Sequence, residues 1–273
     1  MLRETVPERH SVDLRKHPWL AHVKVNPAAT LRLFCFPYAG GDASIFSRWS
    51  EALPSRVEVC PVQLPGRGAR LSEPLFTSMA PLVESLASAL QPCLDKPFAL
   101  FGHSTGALIA FELARQLRRS YGLCCTHLFA SACGAPHLPA DRLGRIHDLP
   151  EAELVETLGG LNRDLEAVFA APELRQFLLP IFRADFQLSE TYSYAVDAPL
   201  PCRISALGGL QDPFVRQASL EAWRAQTSAR FKLHVLPGGH LFLNSDRQLL
   251  LASVAGDLLS VLNDGSESAM KDA

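Results

Sequence analysis

Residues 97–114 constrain the fold more than any other stretch of the chain. Pro97-Phe98-Ala99-Leu100-Phe101 is a short apolar run of strand character. Gly102-His103-Ser104-Thr105-Gly106 follows, and Ala107 to Ala114 continues with helical apolar spacing. A Gly-x-Ser-x-Gly between strand and helix marks a nucleophile elbow. The turn there is so tight that small residues must flank the serine, and its hydroxyl is left exposed at the end of a sheet. An ordinary Gly-rich strand–helix turn is the structural alternative. Bare, the five-residue pattern is weak; the strand before it and the helix after it make it specific.

The same rhythm repeats along the chain. Strands are predicted at 31–36, 56–62, 124–130, 203–207 and 231–236, and helices at 79–90, 214–226 and 247–262. Strands alternating with helices imply an α/β fold with a mostly parallel central sheet and helices on both faces. Residues 136–198 break the rhythm. They hold no good strand, only helix-like pieces at 151–158, 164–169 and 172–192, and read as a helical lid inserted over the sheet's C-terminal edge. Residues 1–29 read as a loosely ordered arm with Trp19 as its docking point. A single domain is expected over 30–264, with a polar, disordered tail from Gly265 to Ala273.

Of the 273 residues, 48% are hydrophobic, enough for a sizeable core, and the net charge of −2 argues against nucleic acid or an anionic membrane as partner. No apolar run spans a bilayer, and the N-terminus lacks a signal-peptide core. The seven cysteines include no Cys-x-x-Cys pair, so they read as reduced residues of a cytoplasmic protein. No metal or cofactor is called for, and no large separate apolar face argues against a monomer.

A serine hydroxyl needs a base to take its proton and a third group to orient that base. Asp212, in Gly208-Gly209-Leu210-Gln211-Asp212-Pro213, and His240, in Leu236-Pro237-Gly238-Gly239-His240, each follow a predicted strand downstream of the serine. The alternative for Asp212 is a helix N-cap. Asp185 (in a lid helix), Asp197 and Asp246 are less well placed. His103 is on the wrong side of the turn to reach Ser104 well, and His127 and His234 fall inside strands. An oxyanion hole needs two N–H donors. One is expected from Thr105. The other should come from the Gly-rich loop Pro37-Tyr38-Ala39-Gly40-Gly41, with Ala39 preferred to Tyr38. That loop has no Gly-x-Gly-x-x-Gly and no Gly-Lys-Ser/Thr, which argues against nucleotide binding.

Taken together in order, Phe36-Pro37-Tyr38-Ala39-Gly40-Gly41, Gln63-Leu64-Pro65-Gly66-Arg67-Gly68, Gly102-His103-Ser104-Thr105-Gly106-Ala107, Arg183-Ala184-Asp185-Phe186, Glu190-Thr191-Tyr192 and Pro237-Gly238-Gly239-His240-Leu241-Phe242-Leu243 are specific. Residues 31–260 resemble the type II thioesterases that accompany polyketide synthases and nonribosomal peptide synthetases. The resemblance implies an α/β-hydrolase fold and hydrolysis of acyl groups from the phosphopantetheine arm of acyl- or peptidyl-carrier proteins, to edit or unblock an assembly line. It implies Ser104, Asp212 and His240 as the triad, and Tyr38, Thr105, Phe186 and Leu241 against the acyl group. The residue after the serine is commonly Met in this family and is Thr105 here. Carrier proteins are generally acidic near the arm, so Arg67, Arg70, Arg142 and Arg145 are candidate docking residues at the entrance. The rivals are a medium-chain fatty acyl thioesterase, a general carboxylesterase, a chain-terminating thioesterase and a non-catalytic acyl-binding module.

Overall fold

The structure, a computed structural model, describes residues 12–138, 145–161 and 164–271. Six strands form one sheet: β1 (Leu31–Phe36), β2 (Val57–Pro61), β3 (Phe98–His103), β4 (His127–Ser131), β5 (Arg203–Gly209) and β6 (Phe231–Leu236). Their order is β2-β1-β3-β4-β5-β6, and every neighbouring pair is parallel. β1 to β4 are buried along their whole length, as parallel strands covered on both faces must be.

Handedness decides which helix covers which face. Right-handed crossovers that advance in one direction stack on one face, and a crossover that goes backwards lands on the other. From β2 onward the chain advances through α1 (Met79–Leu90) and α2 (Thr105–Tyr121), then the inserted helices α3 (Glu151–Leu161), α4 (Asp164–Phe169) and α5 (Pro172–Glu190), then α6 (Gln217–Glu221). Leu86, Phe111, Leu220 and Trp223 accordingly share one core with Phe34, Leu100 and Ile204. The backward step from β1 to β2 puts Phe46 and Trp49 on the opposite face. There they meet Leu33, Phe101 and α8 (Arg247–Lys271), which follows the short α7 (Phe242–Ser245).

Three boundaries differ from expectation. Residues 12–29 are packed against the sheet edge at β2. Leu14, Trp19 and Leu20 are buried, and Leu20 bridges Val62. Their apolar residues follow no period, yet they cover an edge that would otherwise be open. The backbone of α8 runs on through Gly265 to Lys271 where a disordered tail is expected; one glycine weakens a helix without ending it once the preceding turns are seated. Residues 214–216 are loop, and only Gln217–Gln226 is helical.

Candidate active site

In an open parallel sheet, a crevice opens where neighbouring strands send their chains in opposite directions. Here that point lies between β1, which leads outward to β2, and β3, which leads to β4. Ser104 follows β3 there, with φ 55° and ψ −120°, a strained backbone for a residue with a side chain. The turn is forced by its neighbours. A Cβ on Gly102 would overlap the Gly106 peptide, and one on Gly106 would overlap the carbonyls of Phe36 and Pro37.

The loops after β5 and β6 bring up the other two residues. His240 Nε2 lies 3.0 Å from Ser104 Oγ, and His240 Nδ1 lies 2.9 Å from Asp212 Oδ2. A carboxylate oxygen accepts, so Nδ1 carries the proton and Nε2 offers its lone pair to the serine hydroxyl. The Asp212 side chain is fully buried, and its second oxygen accepts the Phe214 N–H at 2.8 Å. The N-cap-like bond and the bond to His240 therefore coexist on one carboxylate.

His103 adds a part that spacing does not reveal. It is fully buried, with Nε2 2.8 Å from the His240 carbonyl and Nδ1 2.9 Å from Ser131 Oγ. The carbonyl accepts, which fixes the proton on Nε2. Burial, reinforced by His240, pushes the His103 imidazole down to about 3, so it stays neutral. With both ring nitrogens engaged elsewhere, it pins the loop that carries His240.

Thr105 is the first residue of α2, so its N–H has no partner within the helix, and the helix N-terminus favours negative charge at this point. In the loop after β1, the N–H of Gly41 donates to Tyr38 O at 2.9 Å and that of Gly40 to Asp185 at 2.7 Å. Among the described residues no acceptor takes the N–H of Ala39 or of Tyr38. Ser104 and His240 open into a cleft of about 720 Å3 between the sheet edge and the inserted helices. Tyr38, Ala39, Thr105, Phe186 and Leu241 line it, with Leu108, Leu158 and Phe182 giving it apolar walls.

Two of the expected docking residues are elsewhere. Arg67 is buried in an ion pair with Asp185. Arg70 is buried too, with its guanidinium 3.9 Å from the Trp19 ring centroid and paired to Glu73. Neither is a solvated charge at the entrance, because Gly- and Pro-rich composition marks a loop but not whether it is covered. Arg145 is exposed beside Asp148, and Arg142 lies outside the described residues.

A parallel sheet wrapped on both faces, with a serine at the turn of its switch point, defines the α/β-hydrolase class. Comparison with known proteins narrows this. The family model described as "Thioesterase domain" matches residues 31–259. The chain is 47% identical over 247 residues to a Brevibacillus parabrevis protein named linear gramicidin dehydrogenase LgrE, covering 89% of this chain and 94% of that one. The structure of RedJ, a thioesterase from the prodiginine pathway of Streptomyces coelicolor, superposes with a TM-score of 0.80 at 42% identity, covering 85% of this chain and 92% of that one. That of BorB, a type II thioesterase from the borrelidin cluster, does so with a TM-score of 0.78 at 36% identity, covering 87% and 96%. The chain belongs to the thioesterase family, and its relatives place it with the type II enzymes of polyketide and nonribosomal peptide systems.

Proposed function

We propose that the protein is a serine thioesterase that hydrolyses acyl groups from the phosphopantetheine arm of carrier proteins, clearing stalled or wrong acyl groups from an assembly line. The observation that carries this is the hydrogen-bonded series Ser104–His240–Asp212 opening into an apolar cleft. His240 takes the Ser104 proton as the oxygen attacks the thioester carbonyl. Asp212 holds the imidazole tautomer and stabilises the imidazolium. The N–H groups of Thr105 and Ala39 receive the developing oxyanion, each worth roughly 2.7–4 kcal/mol in the transition state. The C–S bond breaks, the pantetheine thiol leaves with a proton, and the acyl group stays on Ser104. Water, deprotonated by His240, then releases the carboxylic acid and restores the serine. A thiolate leaves far more readily than an alkoxide, so demand for acid catalysis in the first step is modest.

The inserted helices act as the lid and acyl-pocket wall, with Tyr38, Thr105, Phe186 and Leu241 against the acyl chain. Seven free cysteines fit a reducing cytoplasm, and the protein acts as a monomer. Among the described residues no helix is long and apolar enough to cross a membrane. A relative named as a dehydrogenase raises hydride transfer as a second reading. That chemistry needs a dinucleotide cradle, and neither Pro37–Asp42 nor Gly102–Ala107 carries a Gly-x-Gly-x-x-Gly turn.

One acyl group presented both as a pantetheine thioester and as an oxygen ester tests the proposal. We expect kcat/KM to favour the thioester by at least about tenfold. A preference for the oxygen ester would make the protein a carboxylesterase.

A further inference from the structure

The loop that follows β1 is a β-turn, Tyr38 to Gly41, closed by the bond from the Gly41 N–H to Tyr38 O. Gly40 is its third residue with φ +78°, as a type II turn requires. Type I and type II turns differ by a flip of the central peptide, here the one joining Ala39 to Gly40. Glycine tolerates both, so the turn's own residues do not hold the choice.

A buried ion pair holds it. Oδ2 of Asp185, on α5, accepts the Gly40 N–H at 2.7 Å. Arg67, in the loop after β2, grips both oxygens of that carboxylate, with Nη2 2.7 Å from Oδ1, and its Nη1 also donates to Gly41 O at 3.2 Å. Both side chains are almost wholly covered, Asp185 at 2% and Arg67 at 5% exposure. Phe182, one turn earlier on α5, packs over the same turn, where a Cβ on Gly40 would overlap its ring. A charged carboxylate is an acceptor only. If the central peptide flipped, the Ala39 carbonyl would face that carboxylate, and lone pairs would meet lone pairs.

We infer that Asp185 is a positioning residue for the reaction. It anchors the Tyr38–Gly41 turn through the Gly40 N–H, and so holds in place the adjoining Tyr38–Ala39 peptide, whose N–H is the one offered to the oxyanion. Arg67 aims the carboxylate. The inference rests on the serine-thioesterase reading above. It makes the oxyanion hole depend on α5: the helix whose Phe182 and Phe186 line the cleft also sets the turn beside Ser104. A merely structural role would tie α5 to the sheet, and its loss would cost stability without singling out the transition state.

Two variants test this. Asp185→Asn keeps the side-chain size but replaces one acceptor oxygen with a donor facing Arg67. The double variant Arg67→Met/Asp185→Leu removes both charges, so that neither is left buried and unpaired. For each, kcat and KM on an acyl-pantetheine thioester, affinity for an alkyl boronic acid that forms a tetrahedral adduct on Ser104, and the urea midpoint are measured. Complete loss of an oxyanion donor costs roughly 10²–10³-fold in kcat, and a turn released from its anchor, with the Ala39 N–H displaced, is expected to cost about 10²-fold. KM should stay within about threefold, and boronate affinity should fall in parallel with kcat. A double variant with a wild-type midpoint that keeps kcat and boronate affinity within about threefold overturns the inference, as does a loss confined to KM. Ser104→Ala, assayed alongside, separates the two claims. Retained turnover there overturns the serine reading and this inference together. Lost turnover there, with Asp185→Asn and the double variant unaffected, overturns this inference alone.

Discussion

In the proposed reaction Ser104, His240 and Asp212 have different tasks, and that of Asp212 sets its own expectation. Asp212 holds His240 by its Nδ1–H while its other oxygen is tied to Phe214 N. In Asp212→Asn the amide can turn its NH2 toward Nδ1, which moves the imidazole proton to Nε2 and removes the lone pair that Ser104 needs. We expect kcat to fall about 10⁴-fold with KM little changed; a fall below tenfold in steady-state assays would show that Asp212 does not set the tautomer. His103 carries a different prediction. His103→Ala deletes the bond to the His240 carbonyl and leaves a cavity against Phe242 and Tyr38. We expect a stability loss on the order of 2–4 kcal/mol in urea titration, with the surviving folded enzyme slower because its His240 loop is no longer pinned. The approach of Ser104, Asp212 and His240 to one another was legible because each follows a run that signals a strand. The contacts of His103 and Asp185 were not. Their partners, His240 and Gly40, lie 137 and 145 residues away, and no local spacing encodes a contact at that range.

The elbow and the inserted helices show how local rules and long-range contacts divide the work. The β3 and α2 segments were readable because pattern, turn glycines and apolar content agree. Gly106 also meets the end of β1, so its need for a bare Cα is a tertiary demand. Gly106→Ala should push the new methyl into the Phe36 and Pro37 carbonyls and cost about 1–3 kcal/mol of stability; an unchanged urea midpoint would mean that this approach is looser than described. The helices of the insertion were legible as helices, at boundaries within two or three residues of those observed. Their placement was not, because Phe182 and Phe186 face the cleft through packing that periodicity alone leaves open. The arm over β2 failed for a related reason. Leu14, Trp19 and Leu20 follow no period, and only an uncovered sheet edge gives them somewhere to pack.

Two buried imidazoles make the stability of the molecule depend on pH. Burial pushes both His103 and His127 down to about 3, whereas an unfolded histidine titrates near 6.5. Between those values the unfolded chain takes up protons that the folded chain refuses. Stability is therefore full above about pH 6.5 and falls as the pH drops toward 3, by up to about 1.4 kcal/mol per pH unit for each imidazole. His127 stacks on Phe129 at 4.1 Å, so His127→Phe should keep the ring stack, losing the bond to Ser205 Oγ, and lower the acid slope between pH 6.5 and 4.5 by up to about 1.4 kcal/mol per pH unit. Urea unfolding at stepped pH reads this directly; an unchanged slope would mean that His127 is charged when folded. The sheet order adds the last element of the whole. It places the backward step from β1 beside the forward step from β3, so that the turn after one and the serine after the other face the same cleft.

The measurement that bears most directly on the central claim is release of an acyl group from an acylated carrier protein by the wild-type enzyme and by Ser104→Ala, followed by intact-protein mass of the carrier. We expect the wild type to return the carrier to its free-thiol mass, and the variant to do so at least about 10³-fold more slowly while its urea midpoint is unchanged. Deacylation by Ser104→Ala at a rate within about tenfold of wild type would contradict the account, because Ser104 Oγ is the nucleophile that the account pairs with His240 Nε2.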